Sequence, residues 1–287
     1  QKFPCHYYSI KFLHLLYNVS ILIVEVNMER KSVKTIDFNC DLAQAYGVYR
    51  NNSESDFIKY VSSVNISCGF HAGDPMTIKN ALLLAKENNV VIGAHIGYSD
   101  IQGFGYRPID LTEEELEALV IYQVSALMSF AKAFKLEIEH VRPHGAMYKK
   151  AGEDFRFATV LARAIQKTSQ WLTYFGPAGD ITQKVGDYVK IPVAQEIIID
   201  KVYTPELNID YQVQDITNPD ACIKRMQDFL HTSQINNNAD GKTFGDISTI
   251  HFPNKYPHSL DILKRSHALI TPEPVNYGKV KASGWVE

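Results

Sequence analysis

Four short stretches of this chain each end an apolar run with a histidine or a carboxylate. They are Asp37-Phe38-Asn39-Cys40-Asp41, Ser67-Cys68-Gly69-Phe70-His71-Ala72-Gly73-Asp74-Pro75, His95-Ile96-Gly97-Tyr98 and Arg142-Pro143-His144-Gly145. In barrel-like α/β folds the strand ends converge on one mouth, so titratable residues repeated there point to one active site. Asp37, Asn39 and Asp41 alternate along a strand and share one side of it. Two carboxylates and an amide so close suit an acid/base pair with a positioning group, or a cation site. Turn formation would explain the same residue types without chemistry, but turn residues need not share a face.

His71 lies between glycines, which let the backbone approach a ligand closely. Asp74 and Pro75 have a structural task as N-cap and first residue of a helix. His95 and His144 each end a strand with a glycine close behind. Two or three imidazoles and a carboxylate can hold a zinc-type ion, with Asp41, His71 and His144 as its ligands. The same residues suit an anionic substrate without any metal, and no H-x-x-x-H spacing favours the ion. Arg107 and Arg142 offer planar forks for a carboxylate or phosphate; an exposed salt bridge explains Arg107 equally well. Glu196 is expected to point inward, and His251 ends the last strand. His140 is expected at the surface or in packing, and Asp200 with Lys201 as a surface pair.

The elements that must position these residues alternate. Strands are expected over residues 33–38, 64–67, 90–94, 138–141, 171–175, 193–199 and 246–251, with a short run at 268–270. Helices are expected over 54–61, from 74, from Thr112, over 154–167, within 176–185, over 218–230 and over 260–266. Thr112-Glu113-Glu114-Glu115 spells a capping box. Strand–helix alternation predicts a parallel sheet with helices outside it, and seven or eight units fit a single barrel. No repeat or linker divides residues 28–275. Residues 1–27 are expected to be an upstream extension before Met28, with a degenerate membrane anchor as the alternative. Residues 276–287 form a tail of unassigned role.

Composition excludes several classes. A formal net charge of −3 gives no basic footprint for nucleic acid or an anionic membrane. Cys5, Cys40, Cys68 and Cys222 have no paired spacing, so reduced thiols and a cytoplasmic protein are expected. Gly241-Lys242-Thr243 lacks the first glycine of a P-loop, so ATP should not bind in that manner. There is no G-x-S-x-G elbow, H-E-x-x-H or dinucleotide fingerprint.

The motifs, in this order, resemble those of the LamB/YcsF family, the A subunit of prokaryotic 5-oxoprolinase. The resemblance rests on residues 37–44, 65–75, 95–100, 103–107, 142–148 and His251. It implies an irregular (β/α) barrel of about seven parallel strands, similar to glycoside hydrolase/deacetylase folds. It implies ATP-dependent opening of the 5-oxoproline lactam to glutamate with B and C type subunits, ATP being used by the complex. Asp41 or His71 would then be the base, His144 and Arg142 would hold developing charge, and Asp37, Asn39 and His95 would position substrate or metal. Arg107, Glu196 and His251 complete the expected substrate contacts.

Several positions depart from the family pattern: Ala43 and Gln44 for glycine and glutamate, Ile96 for proline, Tyr106 for arginine and Arg142 for lysine. His251 is followed by Phe252-Pro253 rather than Gly-Asp. Two alternatives follow: a metal-dependent deacetylase-like hydrolase acting on a carbohydrate or related amide, and a non-catalytic member binding a ligand or a partner. Assembly as a homo-oligomer is compatible with all three readings.

Overall fold

The computed structural model describes residues 36–46, 54–235, 243–244 and 247–275. The expected extension over 1–27 and tail over 276–287 lie outside them, as does Cys5. The described elements run β1 (Asp37–Leu42), α1 (Glu54–Phe57), a 3₁₀ turn (Ile58–Tyr60), β2 (Ser63–Ser67), α2 (Pro75–Asn88), β3 (Val91–Ile96), α3 (Glu113–Ala133), β4 (His140–Pro143), α4 (Gly145–Glu153), α5 (Phe155–Thr168), β5 (Thr173–Pro177), α6 (Asp180–Val189), β6 (Val193–Ile198), α7 (Pro219–Thr232), β7 (Gln234–Ile235), β8 (Thr243–Phe244), β9 (Ile247–His251) and α8 (Ser259–His267).

Strands β1 to β6 and β9 pair in parallel and close into a seven-stranded barrel, β9 joining β6 to β1. The expected barrel is therefore present. Its closure leaves no place for an eighth strand, and residues 268–270 follow α8 without forming one. Two further differences stand out. A helix, α4, follows β4 directly, where none was expected. The polar loop after α7 contains β8, which pairs antiparallel with β7.

Alternation along each strand sorts the side chains. Phe38, Cys40, Leu42, Val64, Ile66, Ile92, Ala94, Ile96, Val141 and Ile250 are buried in the apolar cluster that also holds residues of the surrounding helices. The other face carries Asp37, Asn39, Asp41, Asn65, His95, His140, Arg142, Glu196, Thr249 and His251. These are all buried and hydrogen-bond to one another across the barrel. Barrel interiors are usually packed with branched apolar residues; this one is filled by a polar network.

Helix starts follow the expected chemistry. Asp74 accepts hydrogen bonds from the amides of Met76 and Thr77 ahead of Pro75. Thr112 and Glu115 form a complete capping box at the start of α3. Helix α3 is long and apolar enough to cross a membrane by length and composition. Here it packs on α5 and buries Leu116, Val120, Val124 and Leu127. Cys40, Cys68 and Cys222 are buried free thiols.

Candidate functional site

The site grows from β1. Asp37, deepest in the barrel, accepts hydrogen bonds from the hydroxyls of Ser62 (2.5 Å), Ser63 (2.8 Å) and Thr249 (2.5 Å). Burial outweighs these bonds and raises its carboxyl to about 6. One step along the same face, Asn39 donates its amide to Glu196 (2.9 Å) and Thr249 (2.6 Å), which leaves its oxygen as an acceptor. That oxygen receives Asn65 Nδ2 and His251 Nδ1, each at 2.8 Å. Asn65 also donates to Asp41 Oδ1 at 3.0 Å and accepts from His140 Nε2 at 2.8 Å. His140 is thus an interior residue, stacked 4.0 Å from Phe175, and the surface alternative is corrected. Gly93 makes the room: a Cβ there would lie 2.1 Å from His140 Nε2.

Asp41, next to last in β1, stands at the barrel mouth. Gln44 Nε2 donates to its Oδ2 at 3.0 Å, His95 Nε2 is 3.2 Å from Oδ2, His251 Nε2 is 3.6 Å away, and Arg142 Nη1 is 3.5 Å from Oδ1. Burial alone would raise its pKa; the neighbouring imidazoles of His95 and His251 and the guanidinium of Arg142 overcome this and hold it well below the carboxylate range. Arg142 crosses the barrel to Glu196, with Nε at 2.9 Å from both oxygens and Nη2 at 2.8 Å from Oε1. The guanidinium is therefore committed to two buried carboxylates.

His95 and His144 are locked by carbonyl oxygens, which can only accept. His95 Nδ1 donates to the Arg142 carbonyl (3.1 Å) and His144 Nε2 to that of Phe104 (2.7 Å). His95 Nε2 and His144 Nδ1 then face each other at 3.0 Å. His71 stacks on His144 at 4.1 Å, touches Ser67 Oγ through Nε2 (3.1 Å), and its buried Nδ1 has no hydrogen-bond partner. Burial first, and then His144 and His95, push His71 well below its usual value; burial and then His95 lower His144 to about 3. Ligand atoms of His71, His95 and His144 all lie within 4.8 Å of one another. Three buried imidazoles, one with an unpartnered nitrogen, fit a zinc-type ion. This set differs from the expected Asp41, His71 and His144: His95 takes the place of Asp41, whose carboxylate touches the group through His95.

Two glycine-bearing loops hold the histidines. Gln123 on α3 donates to the Gly97 carbonyl (3.0 Å) and accepts from its amide (2.9 Å). A Cβ on Gly97 would come within 2.6 Å of His71 Nδ1. The loop after β3 docks on the start of α4 through Ala146 N–H to the Gly105 carbonyl at 3.0 Å.

A chamber of about 830 Å³ opens over these residues, lined among others by Asp41, Gln44, Tyr106, Arg142, His144, Tyr148, Lys201, Tyr211, His251 and Lys255. Four expected site residues, Asp41, Arg142, His144 and His251, line it directly. His71, His95, Asn39 and Glu196 stand in contact with that lining, and Asp37 lies deeper. Arg107 does not reach the chamber. Its side chain is 63% exposed and paired with Asp100, so it ties its own loop. Asp200 is buried rather than superficial, and Lys201 pairs with Asp215 at 2.6 Å. Sequence reasoning missed Asn65, Gln123, Tyr148 and Glu54, whose half-buried carboxyl is raised by desolvation to about 7. Asn65 and Tyr148 fall inside the motifs, which was the available signal.

The LamB/YcsF family model matches residues 36–283. The chain belongs to the LamB/YcsF family. Among its relatives, the 5-oxoprolinase A subunit of Natranaerobius thermophilus is 41% identical over 174 residues, 61% of this chain and 68% of the relative. That of Bacillus subtilis is 39% identical over 189 residues, covering 66% and 72%. The crystal structure of a lactam utilization protein from Thermus thermophilus superposes with a TM-score of 0.78 at 27% identity, over 84% of this chain and 99% of that one. The same barrel thus carries this LamB/YcsF chain and a protein named for lactam use.

Proposed function

We propose that this chain is the A subunit of a 5-oxoprolinase, opening the 5-oxoproline lactam to glutamate with B and C type subunits in the cytoplasm. ATP would be spent by the complex, since this chain has no P-loop. The observation that carries the reading is the chamber-facing pair His251 and Asp41, in a family whose named relatives are 5-oxoprolinase A subunits.

The geometry supports a division of labour. Asn39 fixes the hydrogen of His251 on Nδ1, so Nε2 presents a lone pair beside Asp41. Burial, then Arg142, hold His251 well below its usual value, and it is neutral at pH 7. A water at Nε2 could give up a proton as it attacks the lactam carbonyl. This role passes to His251 from Asp41 and His71, the sequence-based choices. Asp41, held ionised, favours the imidazolium that forms. Arg142 positions Asp41 and is not a free receptor for substrate. His71, His95 and His144 would hold a divalent ion, which when bound supplies Lewis-acid polarisation of the amide carbonyl.

The test is glutamate release from 5-oxoproline by this chain with candidate B and C subunits, with and without ATP. His251→Ala and Asp41→Ala should each abolish it. Release that persists undiminished in both variants would sink the assignment. The three-histidine group favours one second reading, a metal-dependent hydrolase of another amide. Turnover that chelator removes and a divalent ion restores, without ATP or partners, would select it.

A further inference from the structure

Among the described residues, the buried polar side chains of the chamber wall all have hydrogen-bond partners but one. Arg142 is shared by Glu196 and Asp41, His144 is held by Phe104 and His95, and Asp41 is surrounded by Gln44, Asn65 and His95. Tyr148 is the exception. It is 4% exposed, its hydroxyl has no hydrogen-bond partner, and it lines the chamber. No other buried unpartnered side-chain atom among the described residues belongs to a chamber-lining residue. Leaving a buried hydroxyl unsatisfied costs about 1–3 kcal/mol, a cost that bound substrate would relieve.

Its placement is built. Tyr148 lies four residues after His144, one helical turn along α4 and on the same face. Its ring covers the Arg142 guanidinium at 4.8 Å. Burial, then Glu196, keep the phenol well above its usual pKa, so it remains a donor across the working pH range.

We propose that Tyr148 is a catalytic residue whose hydroxyl donates to the carbonyl oxygen of the substrate amide. The assignment rests on the amide-opening reading above. Water adds its oxygen to the carbonyl carbon and passes a proton to His251 Nε2. The π electrons move onto the carbonyl oxygen, which Tyr148 stabilises without giving up its own proton. The carbonyl re-forms, the C–N bond breaks, and the nitrogen takes the proton from His251. An unpartnered donor has no competing hydrogen bond to give up as charge develops.

The experiment is steady-state turnover of 5-oxoproline by the complete complex carrying Tyr148→Phe, which keeps the ring over Arg142. The result expected is a fall in kcat of roughly 10²–10³ fold, KM changed far less, and an unchanged melting temperature. A structural role would not move kcat alone at constant stability. A variant within about twofold of wild type, or one losing only KM, overturns the assignment while the lactam reading stands. A wild-type complex without turnover overturns the lactam reading and this assignment with it. Should Tyr148→Phe fail to fold, Tyr148→Met keeps the bulk without a donor and is held to the same outcomes.

Discussion

At the scale of single residues, the protonation of this site is set by who donates to whom. His251 is neutral because burial and Arg142 oppose its charge, and its proton is on Nδ1 because Asn39 accepts there. Since its pKa is lowered, the loss of activity caused by protonating it should fall well below pH 6.5. A kcat/KM profile of the complex already halved near pH 6.5 would contradict this. Asp37 gives a stability prediction of the opposite kind. Its folded pKa of about 6 exceeds the ordinary 3.8, so folding favours the protonated acid. The stability it contributes is complete below about pH 4 and is lost as pH rises through 6. A rise of that size corresponds to roughly 3 kcal/mol. Urea unfolding should show wild type losing up to about that much against Asp37→Asn between pH 4 and pH 7.5. Parallel stability curves would show that the hydroxyls of Ser62, Ser63 and Thr249 cancel the burial cost.

At the scale of elements, much was legible because strands and helices repeat simple periods. Asp-Phe-Asn-Cys-Asp-Leu alternates polar and apolar residues, and both faces proved buried, one under helices and one in the barrel. The Thr112 capping box and the Asp74-Pro75 cap are local hydrogen-bond chemistry, readable four residues at a time. Helix α4 was missed because Gly145-Ala146-Met147-Tyr148 looks like loop punctuation, and its glycine starts the helix at φ +54. Partners far apart in sequence could not be read at all. Nothing near His140 shows that it would meet Gly93 and Asn65, or that Arg142 would be spent on Glu196. The Gly93 contact yields a test. Gly93→Ala drives a Cβ into His140, and overpacking of this kind costs roughly 1–3 kcal/mol. The melting temperature should fall, by roughly 2–4 °C per kcal/mol, and His140→Ala should recover part of the loss in the double variant. Additive losses would mean that the two residues do not meet.

At the scale of the whole molecule, the barrel is bridged through its middle by charge. Arg142 on β4 joins Glu196 on β6 and Asp41 on β1, so three strands that are not neighbours to one another are tied by one guanidinium. Such a bridge is weak evidence for stability, because taking ions out of water offsets what their attraction supplies. Breaking it from one side is a different matter, since an unpaired buried charge costs about 3–5 kcal/mol. Arg142→Met and Glu196→Leu should therefore each destabilise by several kcal/mol in denaturant titration, while the double variant, with no charge stranded between them, should regain most of the loss. Turnover should not return with it. Asp41 would have lost its guanidinium, its pKa would rise, and the carboxylate that favours protonated His251 would weaken. Recovered stability with absent turnover would show that this barrel keeps its buried ions for the chamber above them. Recovery of both would mean that Arg142 and Glu196 serve only to hold the strands.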